Sequence, residues 1–236
     1  MVPGRGFTCP LSLRPWHADG VPCSCCAGES LDIFGEKSAR RALKRYLRKG
    51  LGGGDAPQIA DWAAERGLEG ATVIEVGGGI GQIQTELVRR GAAHGTVVEV
   101  IADYEGAARE LAAATGIADR TAFVLADLVE TPDAVEPADI VVLRRVVCCT
   151  PLGPSVLAAA AGRARRTLLA SYPRDRAGVR VVVRLQNGLL ALMRKRFRTF
   201  VHPPAELERA AEKHGLRLSR VERGLVWETA QFVADS

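Results

Sequence analysis

From residue 72 onward the hydrophobic positions follow two rhythms that alternate. Short apolar runs at Thr72–Val76, Thr96–Val100, Thr121–Leu125, Asp139–Leu143 and Thr167–Ser171 predict strands. Between them, apolar residues three and four apart predict helices over Gln82–Arg90, Tyr104–Ala114 and Ser155–Ala161. The fourth run is apolar from Ile140 to Leu143, as expected of a strand covered on both faces of a parallel sheet. Such alternation implies parallel strands with helices on both sides, joined by right-handed crossovers.

The tail changes pattern. A basic amphipathic stretch, Val179–Arg196, shows an apolar face of Val179, Val183, Leu190 and Met193. A helix over Ala205–His214 follows, then two strand-like runs, Leu216–Glu222 and Val226–Val233, around Gly224. Strands joined so tightly must form an antiparallel hairpin. The expected fold class is therefore α/β, doubly wound, with a mostly parallel seven-stranded sheet ending in that hairpin.

Upstream of the first strand, Ala39, Leu43, Tyr46 and Leu47 recur at helical spacing within residues 34–49. Gly50 ends that helix, Gly52-Gly53-Gly54 break the chain, and Ile59–Arg66 predicts a second helix. Residues 31–68 are expected to form a helical lid and residues 69–236 the core domain. Residues 1–30, with Pro3, Pro10, Pro15 and Pro22, show neither period and are expected to be irregular.

The first strand runs into Glu75-Val76-Gly77-Gly78-Gly79-Ile80-Gly81, followed at once by a helix. Glycines let a ligand approach the backbone, and a helix start offers free N–H groups, so a nucleotide-like ligand is expected here. The spacing is G-x-G-x-G with Gln82 next, not the G-x-G-x-x-G of dinucleotide sites. Glu75 ahead of the loop suits a cationic ligand better than a pyrophosphate. Glu99 lies 22 residues after Gly77, at the tip of the second strand, where a carboxylate can accept from two ribose hydroxyls. Val100 follows it. The third strand ends in Ala126-Asp127-Leu128. Asp127 there either accepts from an adenine amino group or caps the turn that follows, with Leu128 among the apolar neighbours of the ring.

Val73 to Gly81, then Glu99, then Ala126-Asp127, resembles the first three motifs of the class I S-adenosylmethionine-dependent methyltransferases. The likeness covers residues 70–235 at the level of fold and speaks to cofactor more than to acceptor. It implies S-adenosylmethionine held by Glu75, Gly77, Gly78, Gly79, Gly81, Glu99, Val100, Asp127, Leu128 and Arg144. The helical lid is similar to that of small-molecule members, the magnesium-protoporphyrin O-methyltransferase group among them.

The acceptor should meet whatever follows the fourth strand, since ligands in open α/β sheets lie beyond the carboxyl ends of the strands. That segment is Leu143-Arg144-Arg145-Val146-Val147-Cys148-Cys149-Thr150-Pro151. It lacks the Asn/Asp-Pro-Pro-Tyr/Phe pattern of amino-group methylation. Arg144 and Arg145 either clamp an anion or form a salt bridge. Cys148 either lines the pocket or is a buried small hydrophobe. Tyr46 on the lid is a further acceptor contact. His202 and Tyr172 are the candidate proton acceptors, His202 being otherwise a surface-loop residue.

The formal net charge is +5, unevenly spread. Residues 36–49 hold seven Lys or Arg and one acid; residues 163–198 hold eleven and Asp175 alone. These segments serve an anionic acceptor, a phosphate track on RNA, or merely a solvated face. A small-molecule methyltransferase is the leading reading. An RNA methyltransferase and a non-catalytic cofactor-binding subunit are the others. Cys23, Cys25 and Cys26 cluster and could join Cys148 or Cys149 around a soft metal, but reduced, inert thiols and no metal are expected. No run approaches the roughly 20 apolar residues of a membrane span, and no leader pattern opens the chain, so a cytoplasmic protein is expected.

Overall fold

The computed structural model describes residues 33–234. The expectations for residues 1–30, including the cluster of three cysteines, lie outside them. Helices α1 (Glu36–Lys49) and α2 (Asp55–Ala64) precede the sheet. Then β1 (Thr72–Val76), α3 (Gln82–Arg89), β2 (His94–Glu99), α4 (Glu105–Ala114) and β3 (Thr121–Leu125) alternate. After them come β4 (Ala138–Arg144), α5 (Gly153–Ala161), β5 (Ala164–Pro173), α6 (Ala177–Leu192), α7 (Pro204–Glu212), β6 (Leu216–Arg223) and β7 (Trp227–Ala234). The sheet order is β3-β2-β1-β4-β5-β7-β6. Strands β1 to β5 pair in parallel, β7 runs antiparallel to β5, and β6 antiparallel to β7.

Successive side chains of a strand point to opposite faces, so each strand feeds two cores. Ile74 and Val76 of β1, Val141 and Leu143 of β4, and Leu168 and Tyr172 of β5 pack with Leu157 of α5 and Leu207 of α7. Val73, Ile140, Val142 and Leu169 face the other way, onto Ile59 and Trp62 of α2 and Ile83 and Leu87 of α3. Helix α2 thus belongs to the sheet's own core, and among the described residues of the expected lid only α1 packs against the loop after β1. Through Ala39, Leu43 and Tyr46, α1 packs on Ile80, Tyr104, Ala107 and Leu111. Phe34, just before α1, meets Phe197 edge-on at 5.3 Å, which ties the start of the described chain to the segment after α6.

Most element bounds lie within two residues of those the sequence predicts, but β5 is twice as long as expected (Ala164–Pro173 against Thr167–Ser171) and α6 ends at Leu192, four residues short of Arg196. Helix α2 starts at Asp55, four residues earlier than the pattern indicates, because Pro57 falls in its first turn, where a proline is tolerated. Strand β2 ends at Glu99, so Val100 lies beyond the ladder.

Candidate active site

At the end of β1 the alternation that faces Val73 toward α3 also faces Glu75 there, directly beneath the first turn of that helix. Its Oε2 accepts from the backbone N–H of Ile83 at 3.0 Å and of Gln84 at 2.9 Å. A helix start normally leaves such donors unpaired. Here an internal carboxylate occupies them. Burial pushes the Glu75 carboxyl up to about 7, against the pull of the Gln84 N–H, the Arg144 charge and the Ile83 N–H.

Three glycine amides of the loop are also engaged. Gly77 donates to the Val98 carbonyl at 2.7 Å, Gly79 to Glu99 Oε2 at 2.8 Å, and Gly81 to the Gly78 carbonyl at 3.0 Å. Gly77, Gly79 and Gly81 have φ of 59°, 59° and 74°, the left-handed region that a side chain disfavours. Space is short as well. A Cβ on Gly77 would stand 2.7 Å from Val146, and one on Gly79 would stand 3.1 Å from the Tyr104 ring. The loop is therefore shaped by its own neighbours, with three of its glycine amides bonded within the protein.

Glu99 sits at the tip of β2, buried. Its Oε1 accepts from Val100 N–H at 2.9 Å and Ile101 N–H at 3.2 Å, and Oε2 takes the Gly79 N–H. Burial raises its pKa, while those three donors oppose the rise. Val100 beside it is exposed, and so is Leu125 at the tip of β3. Asp127 Oδ1 accepts from Val129 N–H at 2.9 Å, so this side chain caps the turn after β3. Leu128 points into the core. Tyr104, which sequence reasoning missed, closes the loop from above. Its ring lies against Gly79, and its hydroxyl meets Ser38 Oγ of α1 at 3.0 Å.

Beyond β4 stands a second cluster, centred on Asp55 at the first position of α2. Arg144 reaches Asp55 Oδ1 through Nε (3.0 Å) and Nη2 (2.8 Å). Arg145 uses Nε on Oδ2 (3.1 Å) and Nη2 on Oδ1 (2.9 Å). Ser171, from β5, donates to Oδ2 at 2.7 Å. Burial works against ionisation of Asp55, but the Ser171 hydroxyl and the two guanidinium groups hold its pKa below the ordinary value. The Arg145 guanidinium also lies 4.2 Å over the Trp227 ring. Arg145 has φ 59°, a conformation that costs a non-glycine residue roughly 1 kcal/mol. Asp55, Ser171 and Trp227 come from three distant parts of the chain, so no local signal points to them.

The remaining sequence candidates are held by contacts of their own. His202 is buried, and its Nε2 stands 2.9 Å from the Val147 carbonyl and 3.0 Å from that of Thr150. Two carbonyls around one nitrogen require it to donate, so that atom is no proton acceptor. Tyr172 belongs to the core; its hydroxyl lies 3.4 Å from Glu228 Oε1, and burial, then that carboxylate, raise its pKa. Tyr46 anchors α1, donating to Glu86 Oε2 at 3.2 Å. Cys148 is buried, and both it and Cys149 direct their thiols at the Arg145 carbonyl, at 3.5 and 3.3 Å. Among the described residues no group of three His, Cys, Asp or Glu is placed to hold a metal.

The strand order and C-terminal hairpin, with the glycine loop at the carboxyl ends of β1 and β2, define the Rossmann-like methyltransferase fold. A magnesium protoporphyrin IX methyltransferase from Synechocystis, solved with S-adenosylhomocysteine bound, superposes with a TM-score of 0.62 at 19% identity, covering 76% of this chain and 82% of that one. An O-methyltransferase family protein from Burkholderia thailandensis gives 0.60 at 19% identity, over 77% of this chain and 56% of that one. An O-methyltransferase family 2 protein from Planctomyces limnophilus, in complex with apigenin, gives 0.60 at 18%, over 85% and 62%. No protein-family model matches the sequence, and the search of curated proteins gives no match.

Proposed function

We propose that this chain transfers a methyl group from S-adenosylmethionine to a small anionic acceptor. The observation that carries the cofactor is the Glu75 carboxylate on the α3 amides. Dinucleotide folds place a pyrophosphate at that helix start. Here the buried Glu75 carboxyl group already occupies those amides, which leaves no place for one. Two carboxylates, Glu75 below the loop and Glu99 beside it, suit a ligand bearing a sulfonium and an ammonium.

The residues present fit that ligand. Glu99, fixed by three backbone donors, would take the ribose hydroxyls, and exposed Val100 would lie against the adenine. Gly77 and Gly79 would allow close approach, and Asp127 would stand at the adenine edge with the carboxylate oxygen its turn does not use. When bound, S-adenosylmethionine supplies an electrophilic methyl carbon, so this chain's own part is placement and exclusion of water. Tyr104 and α1 close the cofactor side. Arg145, stacked on Trp227 and held by Asp55, presents a guanidinium toward an anionic acceptor, with Arg144 beneath it. His202 and Tyr172 are both unsuited to remove a proton, which favours an acceptor already ionised at its reacting oxygen. No observation among the described residues favours the RNA-directed or the non-catalytic reading.

The test is transfer from methyl-labelled cofactor to a panel of aromatic acids and their neutral amides. Acids should be methylated and amides not. Arg145→Gln should raise the acceptor KM roughly tenfold or more, as loss of one charged hydrogen bond implies, with the affinity for S-adenosylmethionine unchanged. Equal rates for acids and amides, or an unaltered KM, would contradict the assignment of the acceptor.

A further inference from the structure

Helix α6 carries an apolar surface that the domain does not use. At about 100° per residue, Val181, Val182, Leu185, Leu189, Leu192 and Met193 fall within an arc of about 120°. Each is between 50% and 81% exposed. The helix meets the domain through another face, where Val179 and Val183 are buried. Single exposed leucines are ordinary. Six large apolar side chains in one stripe form a patch of the kind that marks a contact.

The surroundings of the stripe are basic. Arg176, Arg180, Arg184, Arg194, Lys195, Arg196 and Arg198 fall within this segment, and no acid occurs between Asp175 and Glu206. On the helical wheel Arg184 and Arg180 lie on the side of the stripe next to Val181. Asp175 pairs with Arg180, at 2.9 Å from Nη2 to Oδ2.

We propose that α6 docks the protein on an anionic lipid surface, its stripe entering the boundary between headgroups and acyl chains and its arginines meeting the phosphates. Charge selects this occupant. A two-fold contact between copies through α6 would gather Arg176, Arg180, Arg184 and Arg194 of both around one apolar patch, with Asp175 the one acid this stretch of sequence sets against them. The location also suits an enzyme that draws its acceptor from a membrane. Helix α6 leaves the carboxyl end of β5, and the segment after it returns to the end of β4, where Phe200 N–H donates to the Cys148 carbonyl at 2.8 Å. The segment that follows the docked helix therefore lies against the turn that carries Arg145. The docking itself does not depend on the proposed methyl transfer, and its test has no activity readout.

That test is co-sedimentation of the full chain with vesicles of mixed phosphatidylglycerol and phosphatidylcholine, or of phosphatidylcholine alone, at low and high salt. The chain should bind the mixed vesicles at low salt, release them at high salt and ignore pure phosphatidylcholine. The double variant L185D/L189D, altered only at exposed positions, should bind roughly tenfold more weakly or less still while melting at the parent temperature. Three results would overturn the proposal. One is no vesicle binding at all. Another is equal binding by the double variant, which would assign it to another basic surface. The third is a dimer in solution that the double variant converts to monomer without any lipid binding, which would give the stripe to a second copy.

Discussion

Glu75 shows how far a single residue can be read from a sequence. A carboxylate ahead of a glycine loop points toward a cationic ligand, but only the structure shows that it reaches that end by filling the start of α3 from within. Its elevated pKa has a thermodynamic consequence. An acid whose pKa rises on folding, here from 4.5 to about 7, holds its proton more tightly in the native state. Its contribution to stability is therefore complete below the unfolded value and lost as the pH climbs through about 7. Two and a half units correspond to something on the order of 3 kcal/mol. Glu75→Gln keeps an acceptor for the two amides and removes the titration. Chemical denaturation from pH 4 to 8 should show stability falling with pH in the parent and a flatter profile in the variant. Parallel profiles would mean that the Glu75 carboxyl titrates alike in the folded and unfolded chains. Asp55 is the contrasting case. Nothing near it in the sequence distinguishes it from any acid in a first helical turn, because its partners, Arg144, Arg145 and Ser171, are brought to it by two other strands.

At the scale of elements, the periodicities locate the strands and helices of the core, because the helices bury one face at a regular spacing and the central strands, buried on both, read as short apolar runs. They locate the purposes of the helices less well. Helices α1 and α2 look alike as a pair ahead of the sheet, yet α2 joins the core and, of the two, only α1 packs against the loop. The difference lies in which partners their apolar stripes meet, which a single chain's pattern does not contain. For α6 the pattern shows one apolar face, while the structure has two, because long stripes of Val and Leu merge around a helix that carries few polar residues. Leu43 of α1 is buried among Tyr104, Ile80 and Leu111 and touches no part of the sheet's core clusters. Leu43→Ala should cost about 2–5 kcal/mol in the local stability of α1. Hydrogen exchange over residues 36–49 should quicken while β1, β4 and β5 stay protected, and cofactor should bind more weakly. Unchanged exchange in α1 would remove it from the role of lid.

At the scale of the whole molecule, alternation of strand and helix forecasts a parallel sheet, and the short final turn forecasts the antiparallel hairpin. The order β3-β2-β1-β4-β5 could not be read directly, since nothing in one sequence pairs β1 with β4. Yet that reversal between β1 and β4 opens the crevice in which the glycine loop, Glu99 and the Arg145 cluster face one another. The ligand that fills this crevice decides what the protein does. The most direct measurement is calorimetric titration of the protein with S-adenosylmethionine, S-adenosylhomocysteine and NAD, in the parent and in Gly79→Val. Binding of the first two and not of NAD is predicted, and the variant, whose new side chain must displace the Tyr104 ring from a disfavoured backbone conformation, should bind none of them while remaining folded. Binding of NAD, or of S-adenosylmethionine to Gly79→Val with undiminished affinity, would contradict the central claim.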